Sequence, residues 1–471
     1  MTYLKRTKII ATLGPATQNP AMLERMMEAG LDIVRANFSH GTFEDHKARL
    51  DTVRACAVKC GREVGILVDL QGPKIRIARF KNKKIILNIG EKFILDAGLD
   101  DDAGDETTVG IDYKQLPQDV NTGDRLLLDD GRLSLLVDKI EGSRIICTVQ
   151  TGGELSSNKG INRFGGGLSA PSLTDKDRAD IKKAALLGAD YVAVSFPRTA
   201  ADMIEARRLL EAAGSKAGLI AKIERKEAVT ALKEIIQVSD AVMVARGDLG
   251  VEIGDAELPA VQKHIIHQAR SLNKAVITAT QMMESMIQNT IPTRAEVFDV
   301  ANAVLDGTDA VMLSAETAVG EHPDKVIAAM SRICMAAEQQ PRSMVSRHRL
   351  ESHFEHTDEA IAMATMYTAN HLGIKAILAM TESGTTPLWM SRIRSGIPIY
   401  ALSMHHATLR RMTLYRGVYP THFTGDHDLD KAIVTLKQRN ILVPGDRVIV
   451  TYGDHARKKG GTNTMKIVRV H

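Results

Sequence analysis

The chain has 471 residues, of which 44% are hydrophobic and 25% charged, with a formal net charge of +4; this predicts about two to four packed domains rather than a disordered or repetitive chain. Acidic and basic residues are interleaved and aromatics are only 4%, which argues against the clustered basic, aromatic-bearing face of a nucleic-acid binder. Met1–Arg6 has no apolar core of a signal peptide, and no apolar run approaches the roughly 20 residues of a membrane helix, so the expectation is a cytoplasmic protein with no nucleic-acid or membrane partner.

In chain order, short apolar runs rich in β-branched residues alternate with segments of helical character. The runs are Lys8–Gly14, Leu31–Ser39, Val64–Leu70, Ala189–Phe196, Gly218–Glu224, Ala241–Gly247, Ala275–Thr280 and Ala310–Glu316. Near-continuous apolar strands followed by helices predict a parallel sheet covered on both faces, and eight such units predict an α/β fold built on a closed (β/α)8 TIM barrel. Thr174-Asp-Lys-Asp177 and Thr293-Arg-Ala-Glu296 have the spacing of capping boxes, and Gly30, Gly61, Gly188, Gly214 and Gly307 stand where helices should stop.

Residues 73–170 break this rhythm. Runs at Lys74–Phe80, Lys84–Ile89, Phe93–Asp96, Arg125–Asp129, Leu133–Ile140 and Arg144–Val149, separated by glycine and acidic turns, predict a small inserted β-barrel domain. It leaves after the third strand, on the side where barrel active sites lie, and so is placed to act as a lid. Pro341-Arg-Ser343 reads as a boundary, after which strands at Lys375–Met380, Ile397–Ser403, Tyr419–Thr424, Arg447–Tyr452 and Met465–Val470 predict an open α/β sheet. The expected domains are therefore 1–72 with 171–342, 73–170, and 343–471. Cys56 and Cys60 lie four apart on a predicted helix, but no Cys or His partners stand at zinc-site spacing, so the four cysteines read as reduced structural thiols.

Polar residues crowd the carboxyl ends of six of these runs: Arg35-Ala-Asn37-Phe-Ser39, Asp69, Lys222-Ile-Glu224, Arg246-Gly-Asp248, Thr280-Gln281 and Ser314-Ala-Glu316. Residues i and i+2 of a strand share a face, so Lys222 and Glu224 point the same way, as do Arg35, Asn37 and Ser39. Structural ion pairs, Lys222 with Glu224 or Asp248 and Arg35 with Asp69, are the competing explanation, but six strand ends exceed what a scaffold needs. Glu224 and Asp248, with Gly247 permitting close backbone approach, suit a hard cation such as Mg²⁺. Lys222 and Arg35 add cations able to hold phosphate oxygens. No Walker-type loop, dinucleotide fingerprint or nucleophile elbow is present.

The segments Lys8-Ile-Ile-Ala-Thr-Leu-Gly-Pro15, Arg35-Ala-Asn-Phe-Ser-His-Gly41, Asp69-Leu-Gln-Gly-Pro73, Lys222-Ile-Glu224, Val244-Ala-Arg-Gly-Asp-Leu-Gly250, Thr278-Ala-Thr-Gln-Met282 and Pro292-Thr-Arg-Ala-Glu296 resemble the pyruvate kinase family, over essentially the whole chain. The resemblance implies Mg²⁺-dependent transfer of phosphoryl between phosphoenolpyruvate and ADP, with two Mg²⁺ per site in turnover, one of them arriving with ADP. It implies that Glu224 and Asp248 ligate Mg²⁺, and that Ala245, Arg246 and Gly247 shape the substrate carboxylate site. It gives Lys222 the phosphoryl group in flight and the enolate left behind. Thr280 contacts substrate and, with Ser314, belongs to the relay that protonates the enolate. Arg35, Arg76 and Lys159 meet the nucleotide or the transferring phosphate, with Asn37 and His40 on the nucleotide side. A homotetramer is also implied.

One stretch departs from the better-known members. Those that need K⁺ resemble D-T-K-G-P-E here and hold the ion near positions matching Asn37, Ser39, Asp69 and the carbonyl of Leu70, whereas this chain reads Asp69-Leu-Gln-Gly-Pro-Lys74. An ammonium at Lys74 would supply the monovalent charge and repel the ion, so K⁺-independent activity is expected. In the last domain, Thr381-Glu382-Ser383-Gly384-Thr385-Thr386, between a strand and a helix, resembles the family's effector phosphate loop. The ligand there would be fructose 1,6-bisphosphate, another sugar phosphate or AMP, with Arg457-Lys-Lys459 nearby. A Mg²⁺-dependent barrel lyase and a metabolite sensor without chemistry are the alternatives, distinguished by a requirement for ADP and by pyruvate formation.

Overall fold

The computed structural model describes residues 4–344, 353–425, 428–454 and 460–471. Eight strands, β1 (Lys8–Thr12), β2 (Ile33–Asn37), β3 (Gly65–Asp69), β4 (Tyr191–Val194), β5 (Gly218–Ile223), β6 (Ala241–Ala245), β7 (Ala275–Ala279) and β8 (Ala310–Leu313), pair in parallel and close into a barrel. They are buried along nearly their whole length, as all-parallel strands sandwiched between side-chain layers and helices must be. The helices begin where the sequence signals them. Thr174 and Thr293 form capping boxes with Asp177 and Glu296, and Gly30 and Gly307 end their helices in the left-handed conformation.

Each strand stops short of its apolar run. The expected strand end at Arg246-Gly-Asp248 instead opens a helix, Arg246–Ile253, and Ala315–Ala318 forms a helical turn after β8. Part of the mouth's polar set, Glu224, Asp248, Thr280 and Ser314, is therefore carried by loops and first helical turns, where backbone groups are free to face a ligand.

The insert holds a six-stranded sheet and a separate two-stranded ladder, which together make the strand-rich unit between β3 and β4. Three short strands, Thr108–Gly110, Gly153–Ser156 and Ile161–Arg163, were too brief for an alternation signal. Lys74–Phe80, expected as a strand, forms isolated bridges at Arg76, Ile77 and Phe80 and scattered backbone hydrogen bonds instead of a continuous ladder. The C-terminal unit is an open sheet of β9 (Ala376–Met380), β10 (Ile399–Ser403), β11 (Val418–His422), β12 (Arg447–Tyr452) and β13 (Thr464–Arg469), in the order β11-β10-β9-β12-β13, with β13 antiparallel. All four cysteines are free, and burial pushes the Cys147 and Cys334 thiols up to about 12.

At the amino ends of the barrel strands a single device is used four times. An aspartate stands immediately before each even strand, in the pattern Asp-x-Val: Asp32, Asp190, Asp240 and Asp309. Each carboxylate accepts the N–H of the second residue of the preceding odd strand: Ile9 to Asp32 at 2.9 Å, Ile66 to Asp190 at 2.9 Å, Leu219 to Asp240 at 2.7 Å, and Val276 to Asp309 at 3.0 Å. A buried carboxylate needs a cation as well. Lys5 serves Asp32, whereas Asp190 takes Arg410, Asp309 takes Arg392, and Asp240 takes Arg207 with Arg411 at 3.9 Å. Arg392, Arg410 and Arg411 belong to the C-terminal unit, which is thus keyed into the barrel floor by charge. Tyr191 Oη donating to the Arg411 carbonyl and Lys8 Nζ donating to that of Val418, both at 2.6 Å, complete the docking.

Candidate active site

At the opposite end of the barrel, Asp69 ends β3 with no exposure at all. Arg35 Nε, from β2, donates to one carboxylate oxygen at 2.7 Å, and Lys222 Nζ, from β5, lies 3.2 Å from the other. Burial acts to raise the Asp69 pKa and is the largest influence, but Lys222 and Arg35 outweigh it and hold the carboxyl below its usual range. Lys222 also contacts Glu224 at 2.9 Å and donates to Ser195 Oγ at 2.7 Å. Burial would strip its proton; Asp69 and Glu224 reverse that and leave the ammonium more firmly protonated than an ordinary lysine.

Two groups in this cluster were not read from the sequence. Ser195, just past β4, donates to the Leu70 carbonyl at 2.7 Å while accepting from Lys222. Thr12, at the end of β1, accepts from Arg35 Nη1 at 3.0 Å. These are the two strands missing from the six noted above, so every barrel strand contributes to the mouth. Phe196, held at φ 55°, directs its N–H to Glu224 Oε2 at 2.7 Å, a left-handed backbone that a bulky residue adopts only under outside constraint.

Glu224 is pushed upward first by burial, and the nearby Asp248 and Asp69 add to that against Lys222. Asp248, in the first turn of the helix Arg246–Ile253, is met by Lys74 Nζ at 3.0 Å, and Lys74 also lies 3.7 Å from Asp130 of the insert. Lys74 thus sits on an expected metal ligand and not on Asn37, Ser39, Asp69 or the Leu70 carbonyl. Asn37 instead accepts the Ser39 N–H at 3.2 Å.

Thr280 follows β7 with φ 66°, and its hydroxyl accepts the Gly247 N–H at 2.9 Å while donating to the Ala279 carbonyl at 2.6 Å. A Cβ at Gly247 would stand 3.6 Å from that hydroxyl, in the space this pair leaves open. Arg246, just after Ala245 ends β6, faces away: it forms a two-pronged pair with Asp299, at 2.6 and 2.8 Å, and binds the Thr280 carbonyl. It can shape the site only by fixing the Thr280 turn. Ser314, after β8, gives its N–H to Glu316 at 2.6 Å, and its hydroxyl makes no hydrogen bond among the described residues.

Other expected residues lie apart. His40 is exposed. Within the insert, Arg76 donates to the Asn158 carbonyl at 3.0 Å and Lys159 pairs with Asp129 at 2.6 Å. The Thr381–Thr386 loop is in the C-terminal unit, where Thr381 accepts the Gly384 N–H at 2.9 Å, Ser383 and Thr385 hydroxyls meet at 2.9 Å, Thr386 meets Thr462 at 2.9 Å, and Glu382 meets His405 at 2.8 Å. Arg457-Lys-Lys459 lies outside the described residues.

Among the described residues no group of three or more His, Cys, Asp or Glu side chains is gathered for a metal. Glu224 and Asp248 are a two-carboxylate set, which fits an ion such as Mg²⁺ that fills most of its six positions with water and substrate oxygens. The charge pattern agrees with that fit, since Asp248 disfavours ionisation of the buried Glu224 and a dication between them would relieve it.

A closed barrel whose mouth gathers a buried ammonium, a guanidinium and two carboxylates defines an enzyme that handles anionic, metal-bound substrates, the chemistry of phosphoryl transfer. The pyruvate kinase barrel-domain model matches residues 4–327 and the pyruvate kinase alpha/beta-domain model residues 359–468. The chain is 58% identical to pyruvate kinase II of Salmonella typhimurium and 55% identical to the pyruvate kinase of Buchnera aphidicola subsp. Schizaphis graminum, each over 99% of both chains. It is 54% identical to the pyruvate kinase of Haemophilus influenzae over 98% of this chain and 97% of that one. The chain belongs to the pyruvate kinase family of phosphotransferases.

Proposed function

We propose that this chain transfers phosphoryl from phosphoenolpyruvate to ADP, giving pyruvate and ATP, at the mouth of the barrel. The observation that carries this reading is the Lys222 ammonium, held by Asp69, Glu224 and Ser195 in a buried, firmly protonated state. A fixed cation there stabilises a phosphoryl group in flight and then the enolate oxygen it leaves, without reorganising during the reaction. Arg35, braced by Asp69 and Thr12, presents the rest of its guanidinium to phosphate oxygens.

Glu224 and Asp248 hold Mg²⁺, which when bound supplies charge neutralisation to phosphoryl and carboxylate oxygens, and a second Mg²⁺ comes with the nucleotide. Gly247 and Thr280 form the substrate-carboxylate side, with Ala245 and Arg246 as its frame. Ser314, whose hydroxyl is uncommitted among the described residues, and Thr280, which follows the neighbouring strand, belong to the proton relay to the enolate. Arg76 and Lys159 reach the nucleotide when the insert closes, with Asn37 and His40 at the rim.

Lys74 supplies a positive charge beside Asp248 in place of a monovalent ion, so activity is K⁺-independent. Thr381, Glu382, Ser383, Gly384, Thr385 and Thr386 hold the phosphate of a sugar phosphate or AMP, and Thr385→Glu abolishes that activation. We assign the domains to residues 1–72 with 171–342, 73–170 and 343–471, the assembly to a homotetramer and the location to the cytoplasm. No described helix is long and apolar enough to cross a membrane.

A coupled assay of pyruvate release tests the reading. Turnover requires ADP and Mg²⁺, is the same in K⁺ and tetramethylammonium, and falls by several orders of magnitude in Lys222→Met. Pyruvate formed without ADP would point to a lyase instead, and no pyruvate at saturation would point to a sensor.

A further inference from the structure

Between the barrel floor and the C-terminal unit lies a small cavity lined by Arg6, Arg270, Arg394 and Arg416 together with Ser343 and Ser395. Its volume is about 20 Å³, room for one water-sized group. Arg6 lies 3.6 Å from Glu338, and Asp309, paired with Arg392, also accepts the Arg416 backbone N–H at 3.1 Å but not its guanidinium. Arg416 instead caps the carbonyls of Val304 and Thr308, at 2.9 and 3.0 Å, near the end of the helix Arg294–Asp306. Among the described residues Arg270 donates to the Arg392 carbonyl alone, at 2.9 Å. Nε and Nη1 of Arg270, and Nε and Nη2 of Arg416, make no hydrogen bond among the described residues.

A second observation is independent of charge. Ser343, in the connecting turn Pro341–Ser343, is 2% exposed, and its buried hydroxyl has no hydrogen-bond partner among the described residues. A buried hydroxyl without a hydrogen bond is destabilising, so such groups normally have a partner. An occupant that accepts from the hydroxyl and the guanidiniums, and offsets their shared positive charge within that volume, is a single negatively charged atom.

We propose that this cavity is a binding site for a monatomic anion of chloride size, held by Arg270, Arg416 and Ser343, which pins the connecting turn, the barrel floor and the C-terminal unit together. Burial, and then Arg394, Arg392 and Arg416, push Arg270 down to about 9, a strain that one enclosed negative charge relieves.

The test uses the full chain. Melting temperature is followed while chloride replaces gluconate at constant ionic strength. Wild type shows a saturable rise of about 2–4 °C, which Arg270→Gln and, separately, Ser343→Ala weaken or remove. Bromide crystals then give an anomalous peak in contact with Arg270, Arg416 and Ser343 Oγ. A response that does not saturate, or one that is the same in both variants, overturns the site. So does a bromide-free cavity in the crystals. Stabilisation by phosphate but not by chloride overturns the monatomic assignment. Ser343→Ala removes one hydroxyl and no charge, so it keeps the test decisive if Arg270→Gln fails to fold.

Discussion

Replacing Asp69 by Asn keeps the size of the side chain but removes the charge that Lys222 and Arg35 share, leaving Lys222 with Glu224 at 2.9 Å. The wild-type carboxylate makes one contact at 2.7 Å and another at 3.2 Å, both out of water. Breaking a buried charge cluster in this way costs about 3–5 kcal/mol of stability. If one charge-assisted hydrogen bond's worth, about 1.5–3 kcal/mol, is realised only in the transition state, kcat falls roughly ten- to hundred-fold. Asp69 is the largest favourable influence on the Lys222 proton, ahead of Glu224, so the variant's activity also declines at a lower alkaline pH than wild type's.

The signs differ for the two partners. Asp69, held below its ordinary range, stabilises the fold above about pH 4 and loses that contribution as pH falls through its folded pKa. Lys222, held above its ordinary value, contributes fully below about pH 10 and loses it only as pH rises through its folded pKa. The measurements are kcat against pH, by coupled pyruvate assay, and thermal melts at pH 4, 7 and 9. An Asp69→Asn enzyme with unchanged kcat and an unmoved alkaline limb would refute the argument that this carboxylate holds the lysine.

Three further substitutions probe other links. Gly72 has φ 67°, and an added Cβ would fall 2.6 Å from the Ser195 Cβ, so Gly72→Ala displaces the serine that braces Lys222 and lowers kcat about ten-fold or more with a smaller change in KM. Arg392→Met strands Asp309, each about 1% exposed in the pair, and lowers stability by about 3–5 kcal/mol in a denaturant titration. Lys74→Glu removes the ammonium beside Asp248, so activity becomes low in tetramethylammonium and recovers many-fold on adding K⁺; equal rates in the two salts would count against the charge-substitution argument.

The barrel was legible because eight apolar runs with caps at Thr174 and Thr293 agree in period, length and punctuation. The site was legible where charge is conspicuous, since Arg35, Asp69, Lys222, Glu224 and Asp248 cannot be buried singly. Ser195 and Thr12 were missed for the converse reason: a hydroxyl at the end of an apolar strand costs little and gives no signal until its partners are seen. The partner of Lys74 was hidden by distance, since Asp248 is 174 residues away in the chain. The Asp-x-Val pattern stands openly in the sequence, but its meaning lies in the odd strands' N–H groups and in arginines of another domain, and no local pattern carries that pairing.

That floor decides what can be cut from this molecule. Removing the chain after residue 343 takes away Arg410 and Arg392, the cations of Asp190 and Asp309, and leaves Asp240 with Arg207 alone. The isolated barrel would face water with bare carboxylates in the seam where its strands begin, so the catalytic domain is not a detachable module. A transplant of another C-terminal domain onto this barrel succeeds only if it arrives with arginines at those three places.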